Sequence, residues 1–175
     1  SLVGSEMCIR DRKRGEEMKI NGVKAIYFSA TGNTKRVIEL FCKAFGEPAE
    51  YLDVTDNEEY GCEIDKNTLA VIGVPSFGGR VPAIAAERIK NIRGNNTPAF
   101  ILTTYGNRAY DDTLTELRSI AENNGFVVAG AASIVSRHSI VTDIAADRPD
   151  SKDIKEIKDY AKEFKTVSYT HLRAH

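Results

Sequence analysis

Ser29-Ala30-Thr31-Gly32-Asn33-Thr34 lies directly after an apolar run, residues 23–28, and directly before a helical pattern, residues 35–45. This arrangement predicts an anion site, because the first-turn N–H groups of a helix have no partner and its dipole end there is positive. The three hydroxyls add donors, and Gly32 keeps a Cβ out of the way of a ligand. No lysine follows the glycine, so the stretch is not a nucleotide triphosphate loop. An ordinary Ser/Thr-rich helix N-cap remains the alternative.

The same six residues resemble the phosphate loop of a known family. Ser-x-Thr-Gly-Asn-Thr after a first β-strand is similar to the loop with which flavodoxins bind the phosphate of FMN. The resemblance implies that residues 29–34 hold an FMN phosphate. Two later loops bear on this expectation.

Length and composition indicate one globular domain. The chain has 175 residues, of which 42% are hydrophobic and 28% charged, and it is long enough to bury its own core. No apolar run approaches the ~20 residues of a membrane span. The formal net charge is −1, which gives no nucleic-acid footprint. We therefore expect neither a membrane span nor a nucleic-acid partner.

The two ends differ in character from the rest. Residues 1–12 (SLVGSEMCIRDR) and 167–175 (VSYTHLRAH) resemble peptides produced when sequencing-adapter DNA is translated. Neither has helical or strand periodicity. We expect residues 1–17 to be a non-native or disordered leader, 18–166 to be a flavodoxin-like FMN-binding domain, and 167–175 to be a non-native tail.

Cysteine usage within residues 18–166 indicates the compartment. Cys42 falls on the apolar side of the first predicted helix, and Cys62 lies in a polar connection. Two scattered thiols form no metal-ligand spacing and no CxxC motif, which fits a reducing cytoplasm. The sequence therefore predicts a cytoplasmic protein without a metal site in this part.

Strand and helix patterns alternate along the chain. The predicted strands are 24–29, 49–54, 69–74, 99–104 and 127–135. The predicted helices are 35–45, 81–92, 111–124 and a last one that begins at Asp150 or Ser151, while 56–66 is a polar connection with room for one helical turn. Such alternation predicts the α/β class, a doubly wound five-stranded parallel sheet of order 2-1-3-4-5 with helices on both faces. Ligands bind such sheets at the carboxyl ends of the strands, where the order reverses.

The loop after the third strand reads Pro75-Ser76-Phe77-Gly78-Gly79-Arg80-Val81-Pro82. A Gly-Gly pair lets the backbone take positive φ at low steric cost, and Phe77 offers an aromatic wall. A plain turn is the alternative. In the flavodoxin resemblance this loop lies beside flavin N5, where the peptide of Gly78 or Gly79 hydrogen-bonds the reduced ring. The resemblance thus assigns residues 75–79 to FMN binding.

The loop after the fourth strand contains Thr104-Tyr105-Gly106-Asn107 and, a little later, Tyr110. An aromatic residue followed by glycine can lay a flat side chain against an isoalloxazine, with backbone amides beside the pyrimidine edge. We predict that all five residues bind the cofactor, with Tyr105 as the stacking ring. Tyr110 is equally suited to the core, and Arg108 to solvent.

The wording of these two loops narrows the resemblance. PSFGGRVP and TTYGNRAYDD are similar to the flavodoxin-like half of proteins that fuse this domain to a two-cluster ferredoxin domain, as are RHSI at 137–140 and RPD at 148–150. The cysteine run of such a ferredoxin is missing, and we expect truncation to be the reason. Iron–sulfur clusters then belong only to the missing part. His138 suits either a loop contact or a contact with flavin or ferredoxin.

The predicted function is an FMN-binding electron-transfer domain whose partner is a ferredoxin-type domain or protein. The chain would supply no acid, base or nucleophile of its own. An NAD(P)H-dependent FMN or quinone reductase is the second hypothesis, with Arg80 and Arg108 as candidate nucleotide contacts. A receiver-type signalling domain needs an aspartate where this chain has Val74-Pro75, and a cobalamin module needs a D-x-H-x-x-G run that the sequence lacks.

Overall fold

A computed structural model of the chain describes residues 6–9, 20–56, 61–106, 112–135 and 151–173. Its strands are β1 (Glu6–Ile9), β2 (Gly22–Tyr27), β3 (Ala49–Asp53), β4 (Cys62–Ile64), β5 (Thr68–Pro75), β6 (Ile92–Gly94), β7 (Thr97–Tyr105) and β8 (Phe126–Val135). Its helices are α1 (Asn33–Phe45), α2 (Ala83–Ile89), α3 (Thr113–Asn123) and α4 (Ser151–Arg173). No helix in these described ranges is long and apolar enough to cross a membrane.

Five parallel strands form the centre of the molecule in the order β3-β2-β5-β7-β8. Numbered along the chain as the five predicted strands, this is 2-1-3-4-5, so the predicted doubly wound α/β sheet is confirmed. The run at β5 is buried along nearly its whole length, as its continuous apolar sequence requires. The strand order reverses between β2 and β5. The candidate site is therefore expected at the carboxyl ends of these two strands.

The sheet has a sixth strand that the sequence analysis did not predict. β1 pairs antiparallel with β8, with Glu6 opposite Ser133 and Ile9 opposite Gly130. The sequence analysis found no strand periodicity in these residues, and the interpretation of residues 1–17 as a non-native or disordered leader stays a prediction. At the other end α4 continues through residues 167–173, which we had placed outside the last helix. Whether the two ends are non-native stays a prediction.

A small second sheet was also missed. β4 and β6 pair in parallel beside the main sheet, in segments predicted as a polar connection and as the end of a helix. The side-chain amide of Asn124 donates to the carbonyl oxygens of Ile89 (3.2 Å) and Ile92 (3.1 Å). This contact satisfies carbonyls at the end of α2 and the start of β6, and the helix ends at Ile89, three residues earlier than predicted.

The helices cover both faces of the sheet. α1 and α4 pack on one face with β2, β5, β7 and β8, and α2 and α3 pack on the other. Phe100 of β7 is the centre of the first layer, since its ring stacks on Phe41 at 4.4 Å between centroids and meets Phe164 edge-on at 4.9 Å. The Lys165 ammonium donates to the Phe45 carbonyl (2.7 Å) and so joins α4 to the end of α1.

Strand register brings the loops together. Tyr27 at the end of β2 lies opposite Gly73 of β5, and Pro75 at the end of β5 lies opposite Thr104 of β7. The carboxyl ends of β2, β5 and β7 therefore reach the same rim of the sheet. The loops after these three strands leave the sheet side by side.

Candidate functional site

Three loops meet at this rim around a small cavity. The first loop is residues 28–32, between β2 and α1. The second loop is residues 76–82, between β5 and α2, and the third begins at Gly106, after β7. The cavity has a volume of about 30 Å³ and is lined by Ala30, Thr31, Asn33, Thr34, Pro75, Ser76, Phe77, Thr104, Tyr105 and Gly106. All ten lining residues are among the predicted cofactor-binding residues.

The first loop presents the start of α1 to this cavity. Gly32 is the N-cap residue at φ 88°, and a Cβ built on it would meet no atom within 4 Å. Glycine therefore suits the left-handed backbone conformation at this position, and its role in leaving room for a ligand stays a prediction. Among the described residues, no acceptor is present for the backbone N–H groups of Thr31, Gly32 and Thr34.

The next N–H groups of α1 are satisfied within the protein. Lys35 N–H donates to the Ser29 hydroxyl oxygen (3.1 Å), and Arg36 N–H donates to the Gly32 carbonyl (3.0 Å). The Ser29 hydroxyl thus closes the first turn of the helix from six residues upstream, and Ser29 does not line the cavity. Its structural role is to shape the loop.

A buried hydrogen bond joins the first loop's helix to the third loop's strand. The hydroxyl oxygens of Thr34 and Thr104 are 2.8 Å apart, and the two side chains are 2% and 4% exposed. They come from positions 70 residues apart in sequence. This contact fixes the distance between the α1 N-terminus and the end of β7.

The second loop is a tight hairpin. Phe77 and Arg80 exchange backbone hydrogen bonds of 2.9 and 3.1 Å, and the two residues between them, Gly78 and Gly79, have φ of 59° and 78°. Positive φ at both central positions is the signature of a type I′ turn, so the Gly-Gly pair takes the predicted positive φ. Phe77 is 40% exposed and forms an aromatic edge of the cavity.

Side chains of α3 hold this hairpin in place. Glu116 accepts from Val81 N–H at 2.7 Å and pairs with the Arg80 guanidinium at 2.9 Å. The hydrogen bond from Arg80 lowers the pKa of the Glu116 carboxyl below its ordinary value. The hydroxyls of Ser76 and Thr113 lie 2.6 Å apart, and Ser76 N–H donates to the Thr104 carbonyl (2.8 Å). These hydrogen bonds tie the second loop to α3 and to the end of β7.

Within the described part of the chain, four predicted site residues do not line the cavity. Ser29, Gly32, Gly78 and Gly79 lie in the first and second loops beside it. The other two predicted site residues, Asn107 and Tyr110, fall outside the described residues, as do Arg108 and His138. Sequence reasoning missed the supporting residues Thr113 and Glu116, because nothing in a helix sequence shows that it contacts a turn some 35 residues away.

The two candidate aromatic rings differ in exposure. Tyr105 lines the cavity but is only 4% exposed, whereas Phe77 is 40% exposed. Within the described residues, Phe77 is therefore the ring that is open to a flat ligand. The stacking role assigned to Tyr105 stays a prediction.

The donors at the first loop suit a phosphate. Free N–H groups at a helix N-terminus, the exposed Thr31 hydroxyl and the positive end of the α1 dipole all favour an anion. No lysine or arginine is among the described residues that line the cavity. The described donors are neutral N–H and hydroxyl groups, and their position at a helix N-terminus suits an anion such as a phosphate.

Comparison with known proteins supports the fold. No family model and no curated protein matches the chain. Among solved structures, flavodoxin 2 from Bacillus cereus superposes with a TM-score of 0.59 at 14% identity, with 82% of this chain and 97% of the flavodoxin covered. The fold is flavodoxin-like. Two redox enzymes also contain this flavodoxin-like fold.

The first enzyme is the rubredoxin oxygen:oxidoreductase of Desulfovibrio gigas, with a TM-score of 0.60 and 13% identity. That match covers 89% of this chain and 38% of the longer enzyme. The second is an NADH:FMN oxidoreductase in its apo form, with a TM-score of 0.59, 11% identity and coverage of 83% and 88%. At these low sequence identities, the three matches establish the architecture of this chain and not its activity.

Proposed function

We propose that this domain binds FMN and carries electrons between the flavin and the iron–sulfur clusters of a ferredoxin-type domain or protein. The observation that carries the proposal is the set of N–H groups at Thr31, Gly32 and Thr34, which have no acceptor among the described residues and lie where three loops meet. Solved flavodoxins with the same fold support it. The two free cysteines that the structure describes fit a cytoplasmic location.

Each loop has a task in this proposal. The first loop binds the phosphate through backbone N–H groups and the Thr31 hydroxyl. The second and third loops hold the ring, with Phe77 at one side and Tyr105 beneath the cavity. A Cβ built on Gly78 would meet no other part of the described protein within 4 Å, so the hairpin tip is open on that side. Bound FMN supplies one- and two-electron chemistry, and the chain holds it, orients it and excludes water.

Titration of the apo-protein with FMN tests the proposal, with riboflavin, which lacks the phosphate, as the matched ligand. We expect quenching of flavin fluorescence at micromolar protein and a clear preference for FMN. Thr31→Ala should weaken FMN binding and leave riboflavin binding unchanged. Thr115→Ala, at an exposed position of α3, is the control and should change neither. Unquenched fluorescence with both flavins would refute the proposal.

The ferredoxin-type partner needs its own experiment. Flavin-loaded protein, reduced anaerobically, is mixed with an oxidised two-cluster ferredoxin, and bleaching of cluster absorbance is followed. We expect transfer that requires bound FMN. A control with free FMN at the same concentration separates protein-mediated transfer from transfer in solution. Transfer no faster than with free FMN would contradict the proposed partner.

A reductase on the same fold is the second candidate. The likeness to an NADH:FMN oxidoreductase favours it, as does Arg80 of the second loop, whose side chain is 65% exposed. The two functions separate in one assay. Steady consumption of NADH or NADPH by FMN-loaded protein, with a quinone or free FMN as acceptor, identifies a reductase, and absence of turnover identifies a carrier.

A further inference from the structure

The short connection after β3 contacts the back of the first loop. Thr55 lies in this connection and does not line the cavity. Its hydroxyl oxygen accepts a hydrogen bond of 2.8 Å from the backbone N–H of Ser29, 26 residues upstream. Ser29 is the first residue of the predicted phosphate-binding stretch. Thr55 therefore sets the direction of the peptide from which that stretch leaves β2.

Thr55 is itself held from two sides. Its N–H donates to the Asp53 carboxylate (2.8 Å), which forms a local turn. From α2, the Arg88 guanidinium donates to the Val54 carbonyl (2.8 Å) and to the Thr55 carbonyl. Helix α2 begins directly after the second loop. The Thr55 side chain is thus a fixed support that connects α2 with the first loop.

The orientation of Ser29 has a second consequence for the site. Its hydroxyl accepts from Lys35 N–H in the first turn of α1, so the loop and the helix start move together. A phosphate bound by backbone N–H groups at a helix N-terminus depends on donors that are aimed before binding. Any disorder of Ser29 would therefore reduce phosphate affinity more than affinity for the uncharged part of the ligand.

We propose that Thr55 is a positioning residue for phosphate binding at the first loop, and that Arg88 holds it in place from α2. This inference depends on the proposed function, because it concerns the same site. The inference adds to the site a residue that lies outside the three loops around the cavity. If Thr55 had a purely structural role, its loss would lower the stability of the whole domain and weaken the binding of all flavins equally.

The experiment measures the ratio of the riboflavin and FMN dissociation constants in three variants. Thr55→Val keeps the shape and removes the acceptor, and we expect FMN binding about three- to tenfold weaker with riboflavin binding unchanged. Thr55→Ser keeps the acceptor and should restore the wild-type ratio. Thr68→Val is the matched control, because Thr68 bonds to Asp65 (3.1 Å) and lies away from the three loops.

Each result has a separate meaning. A wild-type ratio in Thr55→Val overturns the role of Thr55 and leaves the proposed function intact. Equal weakening of both flavins overturns it too, since that is the structural outcome. If the wild-type protein binds neither flavin, the proposed function fails and this inference with it. Should Thr55→Val not fold, Arg88→Met replaces it, because that variant removes the support of Thr55 and must lower the same ratio.

Discussion

The buried hydroxyl pair of Thr34 and Thr104 allows a quantitative test of the site. Thr34→Val and Thr104→Val each remove one hydroxyl of a 2.8 Å hydrogen bond and leave the other without its partner. The double variant removes both. We expect each single variant to be less stable than the wild type, and the double variant to be no less stable than either single one.

The structure sets the size of the effect. An unpaired buried hydroxyl costs about 1–3 kcal/mol. Both threonines are nearly fully buried, which favours the full cost, but both also line a cavity of about 30 Å³. Such a cavity has room for one water, which can replace the lost partner. We therefore expect about 1–2 kcal/mol for each single variant, or roughly 2–8 °C in Tm for a chain of this size.

Urea unfolding, followed by far-ultraviolet circular dichroism, measures the three free energies and their coupling. Thr34→Ser keeps the hydroxyl and is the control for loss of the methyl group. If the double variant loses the sum of the two single losses, the hydroxyls do not act as a pair. That result would refute the contact between α1 and the end of β7 on which the geometry of the cavity depends.

Three further predictions concern other parts of the molecule. Burial raises the pKa of the Cys42 thiol to about 12, so at neutral pH alkylation with peptide mapping should modify half-buried Cys62 and spare Cys42 in the native state. Glu116 has a pKa lowered chiefly by its hydrogen bond from Arg80, so its stabilisation is present above the ordinary carboxyl pKa of 4.5 and is lost as the pH falls through the lower native value; the stability difference between the wild type and Glu116→Gln, from urea midpoints, should shrink over that range. Gly125→Ala should lower Tm strongly, because φ there is 90° and a Cβ would lie 2.2 Å from a backbone carbonyl oxygen; an unchanged Tm would contradict this geometry.

The central sheet was predictable because its signals are local. The sequence of β5 is apolar without interruption, and the apolar residues of α1 repeat with helical spacing. Each pattern alone therefore indicates which residues are buried. Parallel strands joined by helices allow few topologies, and the order followed from that restriction. The residues that line the cavity were predictable for the same reason, since they lie at the carboxyl ends of strands or in the stretch between β2 and the first turn of α1.

The elements that were missed depend on contacts distant in sequence. β6 begins at the last residue of a predicted helix, and the side chain of Asn124 donates there to carbonyls more than 30 residues upstream. β1 was dismissed because residues 6–9 carry no strand pattern, yet the edge of β8 provides a partner. The burial of Tyr105, which is 4% exposed, could likewise not be read from its sequence, because a sequence does not show how deeply a residue at the end of a strand lies.

The same difference between local patterns and contacts distant in sequence applies within the site. Groups that would meet a ligand belong to loops whose glycines and hydroxyls form recognisable local motifs. Groups that aim those loops come from elsewhere: Thr55 is 26 residues from Ser29, and Glu116 is 35 residues from Val81. Neutral donors bind an anion well only when they are aimed in advance. The affinity of this site therefore depends on residues that no motif contains, and substitutions at Thr55 and Glu116 should separate the motif from its supports.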